Sequence, residues 1–130
     1  MIKVGDNYDE AFHVTPKKVY DFAEVSGDKN PIHLDADFAA KSIFKKPIAH
    51  GILIGSFISK VLGNNFPGYG TIYLKQEFNF LAPIYVGDTV NVKVEVIEKK
   101  ESKPIYKIST TCFVENKEVI NGYALVKFES

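Results

Sequence analysis

The stretch IAHGILIGSFISKVLGNNF, Ile48 to Phe66, decides the fold of this chain. Ile48, Ile52, Ile54, Phe57, Ile58, Val61 and Leu62 leave only a narrow polar face when wound into a helix. A helix that is apolar nearly all round is a buried one. This one is too short, and too rich in Gly and Ser, to be a membrane span of about 20 apolar residues. Its small residues Gly51, Gly55, Ser56 and Ser59 let a sheet or a ligand come close to the helix backbone.

A buried helix needs a cover, and the sequence after it supplies one. From Thr71 the hydrophobic period changes to two. Four strand-like runs follow: TIYLKQEFNFLAPIYV, DTVNVKVEVIEKK, PIYKISTTCFVEN and EVINGYALVKFES. In the second, Val90, Val92, Val94 and Val96 alternate with Asn91, Lys93 and Glu95, the pattern of a strand with one buried face. Turn formers at Val86-Gly87-Asp88, Ser102-Lys103-Pro104 and Glu115-Asn116-Lys117 separate the runs.

Before the buried helix, DEAFHV reads as a short strand. Thr15-Pro16 then starts a helix, with threonine as the cap and proline at the first helical position, so Pro16 to Val25 is expected to be helical. Gly27, Asn30 and Pro31 stop it and form a loop. Asp35 to Lys41 is expected to be a short helix with Phe38 and Ala39 turned inward. The order predicts an α+β fold in which one antiparallel sheet wraps around one central helix. Both edge strands of such a sheet are expected to be long and apolar, and unpaired edges invite association. A homodimer with two sheets joined edge to edge answers that.

Composition sets the outer limits. A chain of 130 residues suits one domain, 1–130, with one core. Acidic and basic residues balance at 16 each, which gives no support to nucleic-acid binding. The N-terminal MIKVGDNYDE lacks the apolar stretch of a signal peptide, and no run is long enough for a membrane span. Cys112 is the single cysteine, so no internal disulfide forms and a reducing cytoplasm is the expected compartment.

The chemistry is concentrated in SGDKNPIHLD, Ser26 to Asp35. Turn formation accounts for Gly27, Asn30 and Pro31, and it leaves Asp28 free to accept loop N–H bonds and His33 to pack on Phe38. Two features favour an acid/base pair instead. Pro31 stiffens the segment between the two side chains, which suits a preorganised site. The buried helix next along the chain, KPIAHGILIGS, has glycine at its N-terminus and can supply an oxyanion donor. His50, beside Gly51, reads first as a residue that caps or packs at a helix end. His13 reads as structural, and Cys112 as a small strand residue. The three histidines lack tight metal-ligand spacing, so no metal site is expected. Lys41, Lys45 and Lys46 form a small basic cluster, a solvated face by default and a phosphate contact in the second reading.

FAEVSGDKNPIHLDADFA, Phe22 to Ala39, resembles the signature of the MaoC-like (R)-specific enoyl-CoA hydratases, through Phe22, Val25, Ser26, Gly27, Asp28, Asn30, Pro31, Ile32, His33 and Ala39. PIAHGILIGSFIS, FPGYGTIYL and FLAPIYVGDTV resemble the same family in the same order. Lys29 falls where the pattern is free. The resemblance implies a hot-dog fold, a sheet wrapped on a central helix, working as a homodimer or a higher assembly of it. It implies hydration of a short- or medium-chain trans-2-enoyl-CoA to the 3-(R)-hydroxyacyl-CoA, and the reverse dehydration. Asp28 and His33 take the catalytic places, and Gly51 the place whose N–H binds the thioester carbonyl. Asn30 and Ser59 are supporting polar residues, with Asn30 shaping the loop. Leu62 and Leu125 take acyl-pocket places, with the strand carrying Tyr73 and Phe80 nearby. No cofactor is implied, coenzyme A being part of the substrate.

Conjugate addition of water needs a base, a proton source for the α-carbon and stabilisation of an enolate-like oxygen. A carboxylate and an imidazole sharing one water meet the first two needs on one face, giving syn addition. His33 is expected to be the base and Asp28 the partner that delivers the proton. Competing readings are a thioesterase, an acyl-carrier-protein dehydratase and a non-catalytic acyl-CoA-binding protein. The first two usually draw an acid from the central helix, and Ile48 to Leu62 contains no Asp or Glu. The third would lack Asp28 or His33.

Overall fold

In the computed structural model, which describes residues 2–129, the elements run β1 (Asn7–His13), α1 (Pro16–Ser26), α2 (Pro31–Leu34), α3 (Ala36–Ala40), α4 (Gly51–Asn64), β2 (Ile72–Phe80), β3 (Thr89–Lys99), β4 (Ile105–Val114) and β5 (Lys117–Lys127). The strands form one sheet in the order β1-β3-β4-β5-β2, every neighbouring pair antiparallel. This is the α+β, hot-dog arrangement expected from the sequence.

The core lies between α4 and the concave face of the sheet. Val90, Val92, Val94 and Val96 are all fully buried, as their alternation requires, and Ile108, Cys112, Ala124 and Val126 continue the face on β4 and β5. From α4, Ile54, Ile58, Val61 and Leu62 complete the same cluster. Burying each such side chain contributes about 1.5–3 kcal/mol. Thr110 is the polar exception on this face, and its hydroxyl accepts from Gln76 Nε2 at 2.9 Å.

Local signals place α1 in front of the site. Thr15 Oγ1 accepts from the Lys18 N–H at 3.2 Å, and Pro16 opens the helix. Gly27 ends it at φ 79°, a left-handed conformation that glycine adopts without strain, and its N–H closes on the Ala23 carbonyl.

The structure differs from the sequence reading at four places. The buried helix begins at Gly51, because the preceding segment is held extended: the Ala49 N–H donates to the Ile84 carbonyl at 2.7 Å and Ile48 bridges Tyr85. Ile52 consequently faces outward. Within the quoted loop, Asn30 caps one helical turn, α2, by accepting from the Ile32 N–H at 3.2 Å. In α3 only Ala39 turns inward; Phe38 is half exposed. Finally, the edges are unequal. β1 is short and carries Asp9 and Glu10, the latter paired with Lys60 of α4 at 2.8 Å. β2 is the apolar edge, bonded only to β5, with Ile72, Tyr73 and Leu74 exposed. No helix among the described residues is long and apolar enough to cross a membrane.

Candidate active site

The quoted loop, α2 and the N-terminus of α4 meet at one point. Ser26 Oγ accepts from the Asp28 N–H at 3.1 Å, and Asp28 Oδ1 accepts from the Asn30 N–H at 3.3 Å. This Asx turn orients the carboxylate and leaves it exposed, with one oxygen outside the turn. The Ile48 N–H donates to the Ile32 carbonyl at 3.2 Å, which ties α2 to the segment leading into α4.

That tie places the Ile48 carbonyl 2.7 Å from His33 Nδ1. A carbonyl only accepts, so Nδ1 carries the proton and the neutral ring keeps its lone pair on Nε2. Burial holds the His33 imidazole below its ordinary pKa, and the neighbouring His50 pushes the same way. The Ile48 bond and the Asp28 charge oppose this without reversing it. His33 is therefore a neutral acceptor near pH 7.

His50 is the component that sequence reasoning left outside the site. Although it occupies the N-cap position of α4, its side chain makes no capping bond. Instead it is buried, stacked on His33 with ring centroids 3.8 Å apart and met edge-on by Phe22 at 4.9 Å. Its Nε2 donates to the Asp28 carbonyl at 2.9 Å. A carboxylate oxygen of Asp28 and one ring nitrogen each of His33 and His50 lie within 4.8 Å of one another. The available signal was its adjacency to Gly51. The fold thus gathers three candidate metal ligands that are not closely spaced in sequence. One nitrogen of each ring is already committed to a backbone carbonyl, His33 Nδ1 to Ile48 and His50 Nε2 to Asp28.

An apolar cavity of about 460 Å³ opens beside His33, lined by Phe44, Ile52, Phe80, Ile120 and the Gly51 end of α4, among others. Gly51 is the first residue of α4, where no intrahelical acceptor exists for its N–H. A Cβ at this position would stand 2.5 Å from the Phe80 ring, so any larger residue has to displace that exposed side chain. Ser59 lies two turns further along α4 and lines a separate groove with Ser56 and Tyr73. Within one chain it does not join the Asp28–His33 pair. Leu62 sits in the core, and Leu125 is half-buried on β5; neither lines the cavity at His33. Phe80 does, while Tyr73 lines the other groove. His13 bonds Thr89 Oγ1 at 2.9 Å on the sheet.

Comparison with known proteins gives the family and the fold. Residues 3–122 match the family model described as a MaoC like domain. The chain is 42% identical over 125 residues to an (R)-specific enoyl-CoA hydratase of Rhodospirillum rubrum, covering 96% of this chain and 87% of that protein. It is 45% identical over 114 residues to a 3-hydroxybutyryl-CoA dehydratase of Methylorubrum extorquens, covering 88% and 73% respectively. The solved structure of an (R)-hydratase from A. caviae involved in PHA biosynthesis superposes with a TM-score of 0.96 at 40% identity over 98% of both chains. The chain belongs to the MaoC-like domain family.

Proposed function

We propose that this protein is an (R)-specific enoyl-CoA hydratase, a hydro-lyase that adds water in syn fashion to a short- or medium-chain trans-2-enoyl-CoA and catalyses the reverse dehydration. The observation that carries the reading is the proton placement on His33. With Nδ1 committed to the Ile48 carbonyl, Nε2 is the free base of a ring that has a nitrogen within 4.8 Å of an Asp28 carboxylate oxygen.

In the hydration direction the water oxygen bonds to C3 while Nε2 takes its proton. The C2–C3 electron pair moves into the thioester, and the Gly51 N–H at the start of α4 stabilises the enolate-like oxygen. The proton is then relayed through Asp28 to C2 on the same face, and the enolate collapses. Hydrogen, oxygen and charge balance with no further reagent, and the reading calls for no cofactor beyond the coenzyme A of the substrate. The apolar cavity suits the acyl chain. Lys41, Lys45 and Lys46, on the segment that also supplies Phe44 to the cavity, are the candidate contacts for coenzyme A phosphates in this reading.

A homodimer formed along β2 belongs to this reading, supported by the exposed Ile72, Tyr73 and Leu74 on that edge. A reducing, cytoplasmic setting belongs to the same reading, its support being that Cys112 is the single cysteine and leaves no internal disulfide to form. The reading is tested by chiral analysis of the product from crotonyl-CoA. The (R)-3-hydroxyacyl thioester is expected; the (S) product, or free coenzyme A from hydrolysis, contradicts it.

A further inference from the structure

His50 is not one of the two groups that handle the proton, yet it touches both. Its ring is 2% exposed, and its surroundings come from three elements: Phe22 from α1, the Asp28 carbonyl from the loop and the His33 ring from α2. Because Nε2 donates to a carbonyl, Nε2 carries the proton, and Nδ1 is bare, buried and without a partner. A buried polar atom with no partner costs about 1–3 kcal/mol, which a purely packing residue would avoid. Phenylalanine would fill the same space without that cost.

We propose that His50 is a positioning residue: its Nε2–H fixes the backbone that carries Asp28, and its ring face supports His33, so one imidazole sets the separation of the reacting pair. The titratable groups facing His33 among the described residues are Asp28 and His50.

Two substitutions separate the two contacts. His50→Phe keeps a ring against His33 and removes the donor to Asp28. His50→Gln keeps a donor at the place of Nε2 and removes the ring. The catalytic arm rests on the hydratase reading: kcat for crotonyl-CoA is expected to fall up to about 10²-fold in His50→Phe with KM changed much less. His50→Gln is expected to recover part of kcat and to shift the acid limb of the pH profile upward, through a changed His33 environment. A second arm is independent of activity. Nitrogen–proton correlation spectra of the wild type should show His50 as the Nε2–H tautomer, the form that its bond to the Asp28 carbonyl requires. A protein without hydratase activity but with this spectrum would refute the functional reading and leave the positioning arrangement standing. An Nδ1–H tautomer, or both variants folded with wild-type kcat and pH profile, would overturn the proposal.

Discussion

The Nδ1–H of His33 donates to the Ile48 carbonyl at 2.7 Å, and this bond determines which nitrogen of the imidazole meets the substrate. Ile48 is in turn held by Ile32, one residue before His33. The base is thus oriented by a peptide that its own helix fixes, with no carboxylate behind it. Asp28 remains free for the water.

The pH profile should follow from that arrangement. His33 is held below its ordinary value by burial, so the acid limb of kcat/KM is expected to have its midpoint below about 6.5. Activity falls as pH falls, because protonated Nε2 accepts nothing. The same shift favours the folded state above the unfolded histidine value, and that contribution is lost as pH falls through the folded value. A midpoint above pH 7 in the kcat/KM profile would contradict the assignment of His33.

Gly51→Ala places a methyl group 2.5 Å from the Phe80 ring. Overpacking of this kind costs about 1–3 kcal/mol, read as a lower urea midpoint, and the displaced ring narrows the cavity. Adding Phe80→Ala should remove the clash, so the double variant should lose less stability than the sum of the two single changes. Strict additivity would mean that contact with the Phe80 ring is not what disfavours alanine at this position.

The β2 edge makes a separate prediction about assembly. The protein should sediment at twice the 14.6 kDa chain mass, and Leu74→Lys should shift it toward the single-chain value. A charge on an exposed edge discourages strand addition. Wild-type protein sedimenting at 14.6 kDa would refute the dimer.

Much of this architecture is legible in the sequence because single local rules dominate there. The valines of β3 alternate strictly, Thr15-Pro16 caps α1, and the apolar girth of α4 admits no exposed placement. The Asp28–His33 pair was legible because Pro31 and Asn30 leave the loop few conformations. His50 was not, since its role depends on the Asp28 carbonyl 22 residues earlier and on a ring stacked across from it. The start of α4 was misread for the same kind of reason. A bond from Ala49 to Ile84, distant in sequence, holds the chain extended there and keeps Ile48 out of the helix. Ser59 and Leu62 matched family positions, yet one chain places them away from the cavity, a placement that spacing alone does not reveal.

The central claim is that Asp28 and His33 together hydrate an enoyl thioester, and it is tested most directly by following the loss of enoyl absorbance from crotonyl-CoA with wild type and Asp28→Asn side by side. Asn at this position keeps the loop's hydrogen-bonding shape and removes the charge. The account predicts rapid loss with the wild type and a turnover about 10²–10⁴-fold slower in the variant, at unchanged thermal stability within a few degrees. Wild-type turnover in Asp28→Asn would contradict it.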